Sequence, residues 1–162
     1  MQIDGAGAVA AIPRPPDPRA RAAAMLARTH GEPAMESDFE DDERAEGLQA
    51  QKNDLLEGMR EYLAGILDGG GEAGYNGTHI GECGRILDAY LATVEEAADG
   101  DDDAVMAAVQ FTVLSLNGLN ERCHGSLIET DQREQICELI TKAASKRGVG
   151  GGNDLTEAWR EW

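Results

Sequence analysis

The sequence predicts an all-α fold: an up-down four-helix bundle with a short C-terminal amphipathic helix and a disordered N-terminal segment. After Met35, apolar residues recur at spacings of three and four, and no stretch alternates strictly over the length of a strand. Four such stretches are separated by short connectors, which place consecutive helices antiparallel. At 162 residues the chain has room for one ordinary domain, which we assign to residues 35–149 as an acidic helical bundle.

Residues 1–34 differ in composition from everything that follows them. They are rich in Ala, Pro and Arg, and four Arg against two Asp and one Glu give a net charge of +1. Since they lack a periodic row of bulky apolar residues, we expect them to be disordered and dispensable for folding. A non-native leader, with true initiation at Met35, and an organellar targeting peptide are the alternatives.

The first two helices are predicted over residues 41–67 and 79–98. The apolar row of the first comprises Leu48, Leu55, Met59, Tyr62 and Ile66, widened by Leu56, Leu63 and Leu67. The glycines at 69–71 end it, because their backbone entropy opposes a helix. The apolar row of the second comprises Ile80, Cys83, Leu87, Tyr90, Leu91 and Val94, and the helix closes at Asp99-Gly100.

The third helix is predicted over residues 102–123, with an apolar row of Val105, Val109, Thr112, Leu116, Leu119 and Cys123. Four further residues make it apolar on more than one side, so we expect it to be the most buried helix: Met106, Val113, Phe111 and Leu114. The three aspartates at 101–103 suit its N-terminus, where carboxylates cap free amides and meet the positive end of the helix dipole.

The fourth helix is predicted over residues 131–147, with a buried row of Ile136, Leu139, Ile140 and Ala143. Asp131 and Glu134 have the spacing of a capping box at its start. Three cations occupy its last turn and suit the negative end of the dipole: Lys142, Lys146 and Arg147.

The connection between the third and fourth helices is the most distinctive stretch of the chain. Asn117 and Asn120 can bond the backbone of the following turn, and Gly125 can take the left-handed conformation that ends a helix. Leu127 and Ile128 would then plug one end of the bundle. Most simply the stretch is structural; the alternative makes it a recognition surface, with Glu129, Asp131 and Arg133 exposed around it.

The last segment, residues 150–162, combines a glycine hinge with a Trp-containing amphipathic turn. Asp154 and Glu157 have capping-box spacing, and Leu155, Ala158, Trp159 and Trp162 share one helical face. Nine residues are too few to be helical alone in water, so tertiary contact must stabilise them. We expect the tryptophans to dock on the bundle, or alternatively to enter a partner's groove.

Charge gives the strongest functional indication. The chain has 31 acidic and 14 basic residues, for a net charge of −17, and such a chain would repel nucleic acid and anionic membranes. In an up-down bundle the acidic runs around residues 36–46 and 95–103 lie at the same end. The candidate partner-binding residues are Asp41, Asp42, Glu43, Asp101, Asp102, Asp103, Glu129, Asp131, Arg133, Trp159 and Trp162.

A second group, at the opposite end of the predicted bundle, consists of His79, Cys83, Cys123 and His124, with Cys137 two turns into the fourth helix. His79 and Cys83 have chelate spacing, but Cys123 and His124 are sequential and point apart, so buried thiols are the simpler interpretation and a zinc site is the alternative. No nucleophile with a matching base and no nucleotide-binding loop is found, so we expect neither catalysis nor a cofactor.

These observations favour a small cytoplasmic interaction protein that binds and modulates a basic protein, as an inhibitor, immunity-type or chaperone-like factor would. Three cysteines without a CxxC pair fit a reducing compartment. Two alternatives stay open: a metal-binding or thiol-dependent helical protein, and a structural or homo-oligomerisation domain.

Overall fold

The computed structural model describes residues 35–162, with side chains from residue 46 onward. Contacts divide the chain into two units, Met1–Phe39 and Glu40–Trp162. Residues 35–162 contain no strand, and their four helices are α1 (Met35–Asp68), α2 (Gly77–Glu96), α3 (Asp102–Arg122) and α4 (Thr130–Ser145). The all-α class and the four helices are confirmed, whereas the predicted disorder of residues 1–34 lies outside the described residues.

The beginnings of α2 and α3 are fixed by side-chain caps. Asn76 accepts a hydrogen bond from the Thr78 amide at 2.9 Å, and its own amide donates to His79 Nδ1 at 3.1 Å. Asp101 accepts from the Ala104 amide at 3.1 Å, as the sequence predicts. Both caps satisfy amides that have no partner within the helix.

The beginning of α4 differs from the prediction. The cap is Glu129, whose amide donates to Gln132 Oε1 at 3.2 Å, instead of the predicted pair of Asp131 and Glu134. The predicted spacing is right but displaced by two residues. The helix begins directly after the buried Leu127 and Ile128, with Glu129 as the first exposed residue.

Contacts between side chains give the directions of the helices. Lys52 pairs with Asp88 and Leu56 lies against Gly84, so α1 and α2 are antiparallel. Arg122, at the end of α3, pairs with Glu82, near the start of α2, and a short turn over residues 97–101 joins the other ends of these helices, so α2 and α3 are antiparallel as well. The Tyr90 hydroxyl donates to the Ile140 carbonyl at 2.7 Å, and Arg147 bonds the Val94 carbonyl, so α2 and α4 run parallel. This alternation is the one that an up-down bundle requires.

The predicted apolar rows of α2, α3 and α4 are all buried, and so are Leu48, Leu55, Leu56 and Met59 of α1. Lys52 is also buried, and its ammonium reaches Gln49 at 2.9 Å as well as Asp88. Its aliphatic stem packs in the seam between α1 and α2 while its charge is paired. None of the helices in the described part of the chain is both long and apolar enough to cross a membrane.

Some predicted core positions are exposed. Tyr62 and Leu67 of α1 are 49% and 58% exposed, because the end of this helix carries its apolar row past the residues that cover it. As expected, α3 has more buried residues than α2 or α4, but two of the residues that widen its apolar surface lie in solvent: Phe111 is 73% and Leu114 48% exposed. One face of α3 packs on the core, and the opposite face is open.

The connection between α3 and α4 folds as predicted in part. Asn120 accepts a hydrogen bond from the Ile128 amide at 3.0 Å, Gly125 has φ of 75°, and Leu127 and Ile128 are buried. Gly74, in the connection between α1 and α2, approaches this turn closely. A Cβ on Gly74 would lie 2.8 Å from the Cys123 carbonyl oxygen and 2.3 Å from Ser126 Oγ.

Replacing Gly74 by Ala should therefore separate the two connections and destabilise the fold by about 1–3 kcal/mol. Chemical denaturation followed by circular dichroism measures this free energy. Gly58→Ala is the matched control: it lies in α1 with nothing within 4 Å of an added Cβ, so it should stabilise by about 0.5–1 kcal/mol. Equal effects of the two substitutions would show that the close approach at Gly74 has no energetic role.

Candidate functional site

Six exposed carboxylates surround the turn between α2 and α3. We call them the acidic pole: Glu95, Glu96, Asp99, Asp101, Asp102 and Asp103. Arg147, which follows α4, closes the end of α2 by donating to the carbonyl oxygens of Val94 and Glu95, and it also bonds Asp99 at 3.2 Å. Arg147 therefore neutralises one of the six carboxylates, Asp99.

The outer face of α3 continues from the acidic pole. Asp103, Ala107, Phe111 and Leu114 are exposed and fall at helical positions i, i+4, i+8 and i+11, which share one side of a helix. The distance along the axis from Asp103 to Leu114 is about 16 Å, at 1.5 Å per residue. An acidic turn and an exposed apolar pair therefore form one continuous strip.

The other predicted partner-binding residues lie elsewhere. Glu129 and Asp131 are exposed at the start of α4, and Arg133 is half-buried one turn further on. The side chains of Asp41, Asp42 and Glu43, in the first part of α1, lie outside the described residues. The tryptophans belong to a separate surface formed by the C-terminal segment.

The C-terminal segment, residues 153–162, lies against the bundle; we call it the tail. Where the sequence predicts a short helix, the structure has one hydrogen-bonded turn, in which the Arg160 amide donates to the Thr156 carbonyl at 2.9 Å. Leu155, Trp159 and Trp162 pack partly buried against the core. Asp154 caps this turn by accepting hydrogen bonds from the amide and the hydroxyl of Thr156. The sequence predicts instead a capping box between Asp154 and Glu157.

Two polar clusters hold the tail. Asn117 of α3 donates from Nδ2 to the Trp159 carbonyl at 2.7 Å and accepts at Oδ1 from the Glu161 amide at 3.2 Å. On α4, Cys137 Sγ lies 3.2 Å from the hydroxyl of the fully buried Thr156. Arg160 donates to Cys137 Sγ at 2.9 Å and to Asp154 at 2.8 Å. Asn117 and Cys137, on two different helices, thus define the cleft that the tail occupies.

Asp154 is stabilised in its charged form by this arrangement. Burial acts to raise the pKa of its carboxyl, but the hydrogen bonds from Thr156 and Arg160 outweigh burial and hold that pKa below its usual range. A cavity of about 550 Å³ lies beside the cluster, and its lining includes Cys137, Arg133, Lys142 and Arg160.

The Cys/His group of the sequence is not brought together as a set of metal ligands. His79 Nδ1 accepts the Asn76 amide, and His124 is exposed with φ of 55°. Cys83 and Cys123 are buried, and all three cysteines are free thiols. No three His, Cys, Asp or Glu side chains within the described range lie close enough to hold a metal ion together.

Comparison with known proteins gives no relatives: no family model, no curated protein and no solved structure matches the chain.

Two features of these surfaces escaped the sequence analysis. Asn117 was expected to bond the following turn, yet it bonds residues more than 40 positions later, a pairing that no local pattern encodes. Phe111 adds to the predicted burial of α3, although its position beside Ala107 and Leu114, on the face opposite Val109, indicates exposure.

Burial of Cys83 predicts that the protein loses stability at alkaline pH. Desolvation, assisted by Cys123, raises the pKa of the Cys83 thiol from 9.0 to about 12. Above pH 9.0 the unfolded chain loses this proton before the folded chain does. Stability should therefore fall as pH rises from about 9 towards about 12, by at most about 1.4 kcal/mol per pH unit from this group.

Urea denaturation at a series of alkaline pH values measures this slope. Cys83→Ala should make the loss of stability with pH shallower, whereas Cys137→Ala, at the edge of the tail cleft, serves as the control. An unchanged slope in the Cys83 variant would contradict the assignment of alkaline sensitivity to this buried thiol.

Proposed function

We propose that this chain is a non-catalytic protein-interaction module of the cytoplasm, built as an up-down helical bundle, which binds a basic amphipathic segment of a partner protein. The docking surface is the outer face of α3 together with the acidic pole. The proposal rests on the exposure of Phe111. Its side chain is 73% exposed, and it lies within three helical turns of the acidic pole.

Among the residues that the structure describes, neither Phe111 nor Leu114 belongs to the buried core, so packing of the helices does not account for their apolar side chains. An exposed aromatic residue beside an aliphatic one is a typical anchor for an interface, and burying a phenyl ring on binding contributes about 1.5–3 kcal/mol. The strip is about 16 Å long, which fits three turns of an incoming helix.

The acidic pole supplies the complementary charge. Asp102 and Asp103 are exposed in the first turn of α3, and the whole chain has a net charge of −17. Positive residues on one side of a partner helix would face these carboxylates while its apolar residues cover Phe111 and Leu114. Such complementarity accelerates association and selects basic partners over acidic ones.

A synthetic helical peptide can test the chemistry before a natural partner is known. The probe is a fluorescein-labelled peptide of about 14 residues, with leucines at helical spacing on one face and lysines on the other. Its control has the same composition with the leucines dispersed. We expect the amphipathic peptide to bind about tenfold tighter than the dispersed one, and both to weaken as salt increases.

Variants separate the apolar contribution from the charge. Phe111→Ser should remove the preference for the amphipathic peptide, whereas Tyr62→Ser, at an exposed tyrosine of α1, should keep it. Asp102→Asn with Asp103→Asn should weaken binding more than Asp54→Asn with Glu61→Gln, which removes the same charge from exposed positions on α1. The proposal is refuted if the two peptides bind with equal affinity and Phe111→Ser leaves that affinity unchanged. Binding would then be general attraction between opposite charges.

A further inference from the structure

The tail cleft has the chemistry of a peptide-binding site. The Asn117 amide bonds the carbonyl of Trp159 and the amide of Glu161, which are main-chain groups. A side-chain amide that donates to one residue and accepts from the residue two positions later reads the backbone of a peptide, whatever its side chains are. The side chains of the tail are recognised by other contacts, on both sides of the main-chain groups that Asn117 bonds.

Four side chains of the tail provide that specificity. Thr156 is fully buried against Cys137, and Arg160 reaches the same sulfur at 2.9 Å. Trp159 and Trp162 pack on the core, and the Arg160 guanidinium lies 5.6 Å from the centre of the Trp162 ring. The tail therefore fills the cleft as a ligand with one buried polar anchor and two aromatic anchors.

The connection between α4 and the tail contains three consecutive glycines. Gly150, Gly151 and Gly152 have φ of 102°, 53° and 90°, conformations that residues with side chains rarely adopt. No helix or strand joins the tail to the bundle after Ser145 within the described residues. The Trp162 Nε1 group is buried without a hydrogen-bond partner, so the docked tail does not satisfy every polar group that it buries.

We propose that the cleft defined by Asn117 and Cys137 is a peptide-binding site, and that its ligand is exchangeable: the tail of a second copy of this chain can replace the chain's own tail. The second copy is the partner because its tail carries the groups that the cleft already holds. In the free chain a flexible hinge keeps the tethered tail at about millimolar effective concentration, so exchange dominates only when the hinge cannot close.

Shortening the hinge tests this directly in the full chain. A variant lacking Gly151 and Gly152 should hold its tail too far from its own cleft, yet near enough for the cleft of a second copy. We expect sedimentation to show wild type as a monomer and the shortened chain as a dimer at micromolar concentration. Adding Asn117→Ala should weaken this dimer by at least about tenfold, whereas Asn53→Ala, at an exposed asparagine of α1, should leave it intact.

Tryptophan fluorescence distinguishes the outcomes, because the only two tryptophans of the chain are Trp159 and Trp162. A dimer with blue-shifted emission supports exchange. A shortened chain that is monomeric overturns it in either case: water-exposed emission would mean that the tail finds no second cleft, and buried emission would mean that the hinge does not control docking.

A second measurement does not depend on shortening the chain. The probe is a fluorescein-labelled peptide with the sequence of residues 153–162, added to full-length protein. The double variant Trp159→Ala/Trp162→Ala, whose own tail competes poorly, should bind this peptide at least about tenfold tighter than wild type does. If that variant keeps wild-type helicity and shows no binding, the cleft is not a site for a peptide in trans.

Discussion

Close contacts from α2 to each of the other three helices constrain the packing of residues 46–162. Leu56 of α1 lies against Gly84, Arg122 of α3 pairs with Glu82, and the Tyr90 hydroxyl bonds the Ile140 carbonyl of α4. A helix with neighbours on three sides must keep small residues where they approach closest. Gly84 meets this need towards α1, and Cys83, fully buried beside it, serves as a small apolar residue.

Much of this arrangement is encoded locally and could be read from the sequence. The apolar rows of α2, α3 and α4 are buried at the predicted positions, because a spacing of three and four residues places side chains on one helical face whatever the tertiary structure. The cap by Asp101 follows from the same kind of rule. Periodicity does not say how far a neighbouring helix extends, however, and this is why Tyr62 and Leu67 were assigned to the core and lie exposed.

The interactions that escaped prediction are polar contacts between residues far apart in sequence. Arg147 was expected to stabilise the end of its own helix, yet it bonds the final carbonyls of α2. Asn117 bonds the tail, and Cys137 meets Thr156 and Arg160. Each of these contacts needs two elements to be placed first, so no pattern within either element indicates it. The tail illustrates the point: its sequence has a helical pattern, but the structure has a single turn there, which is hydrogen-bonded to α3 and α4.

The carboxylates of the acidic pole differ in whether they have a structural partner. Asp101 caps α3 and Asp99 pairs with Arg147, so both have structural partners. Asp102 and Asp103 gain only the modest, salt-screened benefit of the helix dipole, about 0.3–1 kcal/mol each. Solvated charge would be a sufficient account of these two residues if the surface beside them were polar. It is not: Phe111 and Leu114 follow on the same face, and exposing them brings no benefit to the isolated fold. The combination of surplus charge with surplus apolar area distinguishes this strip from an ordinary helix surface, and the amphipathic basic segment that we propose as its partner would complement both.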